Sequence, residues 1–105
     1  MPEHKKYRVV VSPRAARQLS QHAAFAAQLD EAVARKLTRD FSECAAALAE
    51  MPFRWPLLRA SVFSHEKYRK VVFDTWYLLL YQVREDVVYI EYVIDGRQDY
   101  EWLLK

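Results

Sequence analysis

The sequence predicts an α+β fold: an N-terminal strand and a helical hairpin, then an antiparallel three-strand meander, with the helices on one side of a four-stranded sheet. Three observations predict it. From Tyr68 to Trp102, three runs of β-branched, aromatic and Leu residues are separated only by Asp74-Thr75 and Arg84-Glu85-Asp86. Such reversals leave no room for a crossover helix. Ahead of the meander, apolar residues recur at helical spacing from Ala16 to Met51, and Tyr7 to Val11 is a short strand-like run.

In the first strand, Tyr7, Val9 and Val11 share one face. Ser12-Pro13 then supplies an N-cap serine and a proline at the first helical position. Leu19, Ala23, Ala26, Val33, Leu37, Phe41, Cys44, Leu48 and Met51 form the apolar stripe, and Pro52 closes it. Periodicity shows no break in this run. One helix from Pro13 to Met51 would nevertheless extend roughly 58 Å at 1.5 Å per residue. A domain of this size has a radius of gyration near ~13 Å. A bend is therefore expected between Ala24 and Leu29, making a short first and a longer second helix, although neither Gly nor Pro marks it.

Pro52, Pro56 and the loss of periodicity predict an irregular segment from Phe53 to Glu66. Tyr77 to Val83 is apolar on both faces and reads as the central strand. In the last run, Val88, Ile90, Tyr92 and Ile94 alternate with Tyr89 and Glu91, which assigns the two sets to opposite faces. Leu37, Leu79, Val83 and Ile90 are expected to be almost fully buried. Trp102, Leu103 and Leu104 are expected to pack back as a short terminal segment. Gly96, the only glycine, is either an ordinary turn residue or a position that needs positive φ or a bare Cα.

With 105 residues, 52% of them apolar, the chain reads as one domain, residues 1–105, with a modest core. A single cysteine excludes an intramolecular disulfide framework and fits a reducing compartment. No apolar run approaches the ~18 residues of a membrane span. The charged start Met-Pro-Glu-His-Lys-Lys leads straight into a strand, so no signal peptide is expected. A cytoplasmic protein with no membrane association is the expectation.

The net charge of +2 is too small to imply nucleic acid by itself, but the charge is clustered. Arg54, Arg59, His65, Lys67, Arg69 and Lys70 lie close in sequence with only Glu66 among them, interleaved with Phe53, Trp55, Phe63 and Tyr68. Such a segment is either a solvated face or a surface for RNA or a protein partner, its rings able to stack on bases. His22 and His65 read as surface histidines and Cys44 as a small core residue. Scattered histidines and one cysteine make no metal constellation, and one glycine makes no phosphate loop. No cofactor is expected.

Several stretches together resemble the RelE/ParE superfamily of bacterial toxins: Tyr-Arg-Val-Val-Val-Ser-Pro-Arg-Ala from Tyr7, Tyr-Leu-Leu-Leu-Tyr-Gln-Val from Tyr77, and Val-Ile-Asp-Gly-Arg-Gln-Asp from Val93. The resemblance runs from Tyr7 to Leu104. It implies the growth-inhibiting toxin of a type II toxin–antitoxin system, of the kind that also stabilises plasmids, silenced by a cognate antitoxin. The target would be messenger RNA in the ribosomal A site for a RelE-like member, or DNA gyrase for a ParE-like one. It also allows a homo-oligomer or a toxin–antitoxin hetero-oligomer, and leaves open a non-toxic binding module on the same scaffold.

RNA cleavage without a metal needs fixed cations for the phosphate and a group that moves a proton. Carrying RelE-like positions onto this chain leaves Arg69 in place. Val71, Leu78, Gln98 and Leu104 stand where other functional groups are expected, with Arg97 and Tyr100 nearby. Arg69, Arg97 and Tyr100 are thus the catalytic candidates. Arg54, Arg59, His65, Lys67 and Lys70 are the candidates for binding target or RNA. The departures imply a poor ribonuclease or none.

Overall fold

The computed structural model describes residues 6–57 and 68–97. In chain order the elements are β1 (Arg8–Val11), α1 (Pro13–Leu29), α2 (Glu31–Glu50), β2 (Arg69–Phe73), β3 (Tyr77–Arg84) and β4 (Val87–Asp95). The sheet order is β1-β4-β3-β2. β2, β3 and β4 form the antiparallel meander, and β1 joins it parallel to β4 from Arg8↔Val87 to Val11↔Ile90. The expected terminal segment at Trp102 to Leu104 and most of the expected irregular segment lie outside the described residues.

Local chemistry explains the helix ends. The Ser12 hydroxyl accepts from the Ala15 N–H at 3.0 Å, and Pro13 opens the first turn. The two helices part at Asp30, just beyond the expected Ala24–Leu29 window. Asp30 is extended (φ −165°, ψ 123°), ends α1 with its own N–H on the Ala26 carbonyl, and starts α2 with Oδ1 on the Ala32 N–H at 2.8 Å. A single aspartate therefore makes the bend that no Gly or Pro announces. Asp30-Glu31 is the sequence signal for it, a capping side chain followed by an acid in the first turn.

The core lies between the hairpin and one face of the sheet. Ala15, Leu37, Phe41 and Leu48 meet Val71, Phe73, Leu79, Tyr81, Val88, Ile90 and Val93. Leu37, Leu79 and Ile90 are fully buried, as expected. Val83 is only half-buried, because β2 begins opposite Tyr81 and β3 beyond that point is paired on its β4 side alone.

The last strand departs from simple alternation. Leu80 lies opposite Tyr92 but Tyr81 lies opposite Ile90, so Glu91 is the extra residue of a β-bulge. One inserted residue inverts the faces of everything after it. Val88, Ile90 and Val93 consequently face the helices, while Tyr92 and Ile94 join Tyr68, Leu78 and Leu80 in a second apolar cluster on the outer face. The expected grouping of Tyr92 and Ile94 with Val88 and Ile90 is corrected by that bulge.

Beyond Val11, β4 has no strand on its β1 side, and side chains of α1 replace one. The bulge carbonyl of Glu91 accepts from Ser12 Oγ at 3.2 Å and Arg14 Nε at 3.4 Å. Gln18 Oε1 accepts from the Val93 N–H at 2.8 Å. His22 Nε2 lies 3.0 Å from the Val93 carbonyl, which can only accept, so this nitrogen carries the proton. His22 is half-buried, its ring 5.2 Å from that of Tyr77. It closes a sheet edge, which corrects its reading as a surface histidine.

Candidate functional site

Arg69 sits at the start of β2, level with Tyr81 and on the helix side of the sheet. Its guanidinium donates to the Trp55 carbonyl at 2.7 Å and lies 5.0 Å over the Phe53 ring. The Tyr81 hydroxyl donates to the Pro52 carbonyl at 2.7 Å, and burial pushes the phenol pKa up to about 12. Lys70 N–H bonds the Pro56 carbonyl, and Leu57 bridges Arg69. Arg69 and Tyr81 thereby fasten residues 52–57 to the sheet. Arg54 lies 5.1 Å over the Trp55 ring. Lys70, paired with Leu80, points to the outer face.

Arg97 follows β4 at the other end of the sheet. Its Nε and Nη2 reach the two Asp95 oxygens at 2.9 and 2.6 Å, and its guanidinium lies 4.2 Å over the Trp76 ring. The Gly96 N–H donates to the Trp76 carbonyl at 2.8 Å. Hydrogen bonding from Arg97 holds the Asp95 carboxyl below its usual pKa. A depressed folded pKa gives stability that is present above the unfolded pKa, near ~3.9, and lost as pH falls through the folded value. Asp95→Asn should therefore lower the urea midpoint at pH 7 and flatten its decline toward pH 3. Parallel pH profiles for mutant and parent would refute the assignment.

Trp76 leaves a strained turn. Asp74 and Thr75 have φ of 46° and 76°, and the Trp76 N–H returns to the Asp74 carbonyl at 2.9 Å. This is the γ-turn of positive φ, rare and unfavourable, here centred on a β-branched residue. Lys36 braces it, with Nζ 2.6 Å from both Asp74 and Asp40. Hydrogen bonds to Asp40 and then Asp74 raise the Lys36 pKa. Thr75→Gly should stabilise the fold by about 1 kcal/mol, since an L-residue in the left-handed region costs roughly 1–2. A lower unfolding midpoint would show that the Thr75 side chain contributes more than its backbone costs.

Arg69 and Arg97 do not converge. Arg69 is level with Tyr81 and Asp95 with Tyr77, about 13 Å apart along the strand at ~3.3 Å per residue, with two strand spacings besides. Each guanidinium is already engaged. Val71 and Leu78 are buried among apolar side chains, on opposite faces of the sheet. Arg59, His65, Lys67 and Tyr100 lie outside the described residues. The Cys44 thiol is half-buried, and burial raises its pKa to about 11, so it is protonated at neutral pH and a poor nucleophile. Sequence reasoning missed Lys36, Gln18 and Trp76. Their partners are 38, 75 and, through Gly96, 20 positions away, and no local pattern marks such pairs.

No helix among the described residues is long and apolar enough to cross a membrane. A search of curated proteins finds no match. Among solved structures, one described as the chromosomal ParDE TA system from P. aeruginosa matches with a TM-score of 0.70 and 17% identity. The match covers 89% of this chain and 98% of that one, and establishes the shared fold. The family model described as the ParE toxin of the type II toxin-antitoxin system, parDE, matches residues 9–100. With that match spanning both the helical hairpin and the meander, the chain belongs to the ParE toxin family of type II toxin–antitoxin systems.

Proposed function

We propose that this protein arrests growth by binding DNA gyrase, that it does not cleave messenger RNA, and that a cognate antitoxin neutralises it in a hetero-oligomer. One observation supports the non-nuclease reading above others. The two described candidate cations sit at opposite ends of the sheet, one tied to Trp55 and Phe53, the other to Asp95 and Trp76. A phosphodiester transition state needs its donors aimed at one developing charge, and removing one such donor typically costs 10²–10³ in rate. The segment carrying Arg54, Arg59, His65, Lys67 and Lys70 is the proposed target surface.

The test pairs two assays of purified protein. Gyrase supercoiling should be inhibited, while messenger on programmed ribosomes should show no new 5′ ends at the A site. Codon-specific cleavage lost in Arg69→Ala or Arg97→Ala would overturn the proposal. Growth unaffected by high soluble expression would favour a non-toxic binding module. Arg59→Glu with Lys67→Glu and Lys70→Glu should abolish toxicity yet leave the thermal midpoint nearly unchanged, the outcome for charges that serve a partner and not the fold.

A further inference from the structure

Among the described residues, ion pairs are confined to part of the surface. The described ion pairs join Glu31, Asp40, Glu50, Asp74 and Asp95 to cations of the helices, of the first residues and of the turn after β4. On the outer face of the sheet the pattern is different. Arg8 is paired with Val87 and Arg84 with that same residue, so both cations flank one position of β4. Lys70 projects from β2 on this face, and Arg14 reaches round the edge of β4 to lie 4.1 Å over Tyr92. None of these four forms an ion pair with a carboxylate among the described residues. Of the acids near this face, Glu91 is hydrogen-bonded to Gln82, and Asp86 stands at its edge in the cleft beside Arg8.

We infer that this outer face binds single-stranded nucleic acid. Arg8, Arg14 and Arg84 are exposed and Lys70 is half-exposed, so the cations are available to a partner, Arg14 through its Nη groups, since its Nε is held by the Glu91 carbonyl and its plane lies on Tyr92. Arg8 and Arg84 stand about 10 Å apart across two strand spacings, and Lys70 lies roughly 14 Å from Arg84, four residues along the neighbouring strand. These separations suit alternate phosphates of an extended strand rather than one bound ion. Arg84 lies 4.7 Å over the Tyr89 ring, a layered guanidinium and ring on which an unpaired base can stack. Beside Arg8 an open cleft of about 290 Å³ is lined by Lys6, Asp86 and Val87 as well, at the small end of ligand-sized recesses. The face is a sheet and offers no projecting helix for a duplex groove. An acidic peptide would answer the charge but leave the stacked ring and guanidinium without a use.

The test is fluorescence anisotropy with a labelled 12-nucleotide oligo-U and the matching oligo-dT, titrated with intact protein over a range of NaCl concentrations. Binding should be micromolar at low salt, and log K should fall with log salt at a slope near −3 for about four phosphates. Arg8→Glu with Arg84→Glu should weaken binding at least tenfold. Arg35→Glu with Arg39→Glu, an equal charge change on α2, should weaken it less than twofold. Arg8→Gln with Arg84→Gln, measured alongside with circular dichroism, separates lost contacts from misfolding and should also weaken binding severalfold. Equal losses in the sheet and helix variants would reduce the effect to net charge and overturn the inference. So would binding of a 12-residue polyglutamate in place of either oligonucleotide, which would make the face a protein-docking surface. The outcome is independent of the gyrase assay, because it is read without any enzyme present.

Discussion

Leu37→Ala is expected to destabilise the fold by about 2–5 kcal/mol, the range for removing a fully buried leucine from a packed core. Leu37 has no exposed surface, and it lies on α2 in the same cluster as Phe41, Leu79 and Ile90. The cost has two parts, the lost transfer free energy of the side chain and the cavity left where a helix and a sheet cannot close together. A domain of this kind has a total stability of about 5–15 kcal/mol, so the variant should unfold at a much lower urea concentration. The slope of the transition should be unchanged. A loss below ~1 kcal/mol would place Leu37 outside the core.

Gly96→Ala is expected to cost about 1–3 kcal/mol, as forced overpacking generally does. The reason is not backbone freedom, since no glycine in the described chain has positive φ. An added Cβ would sit 2.5 Å from the Trp76 carbonyl oxygen and 3.3 Å from Leu78 Cγ. The first contact is with backbone, and the same oxygen accepts the Gly96 N–H at 2.8 Å. Relief of the clash therefore stretches that hydrogen bond and shifts Arg97 relative to Trp76. At roughly 4–8 °C per kcal/mol for a domain of this length, the thermal midpoint should fall by at least ~4 °C. An unchanged midpoint would mean that the turn after β4 moves freely. Serine at this position should behave like alanine, because the obstruction is the Cβ itself.

Elements whose determinants lie close together in sequence could be read directly. The Ser12-Pro13 cap, the apolar stripe through Leu37, Phe41 and Leu48, and the doubly apolar run from Tyr77 each express a local periodicity that burial alone imposes. That the helices break followed from length, and the local mark of the place is the capping pair Asp30-Glu31. The place of the break was decided by Asp30, whose extended backbone serves both helix ends. The bulge at Glu91 left no trace in the pattern of β4, because an inserted residue preserves alternation on either side and changes only which face each half presents. Arg69 and Arg97 looked alike as cations near expected positions. Strand register placed them at opposite ends of the sheet and supplied partners 14 and 2 residues away. The segregation of Arg8, Arg14, Lys70 and Arg84 onto one face depends on pairing between strands at both ends of the chain. Composition and periodicity thus determined which segments would be helix or strand and which would be buried. Tertiary structure alone decided which charges meet and which are left facing outward, since electrostatic neighbours are set by distance in space and not along the chain.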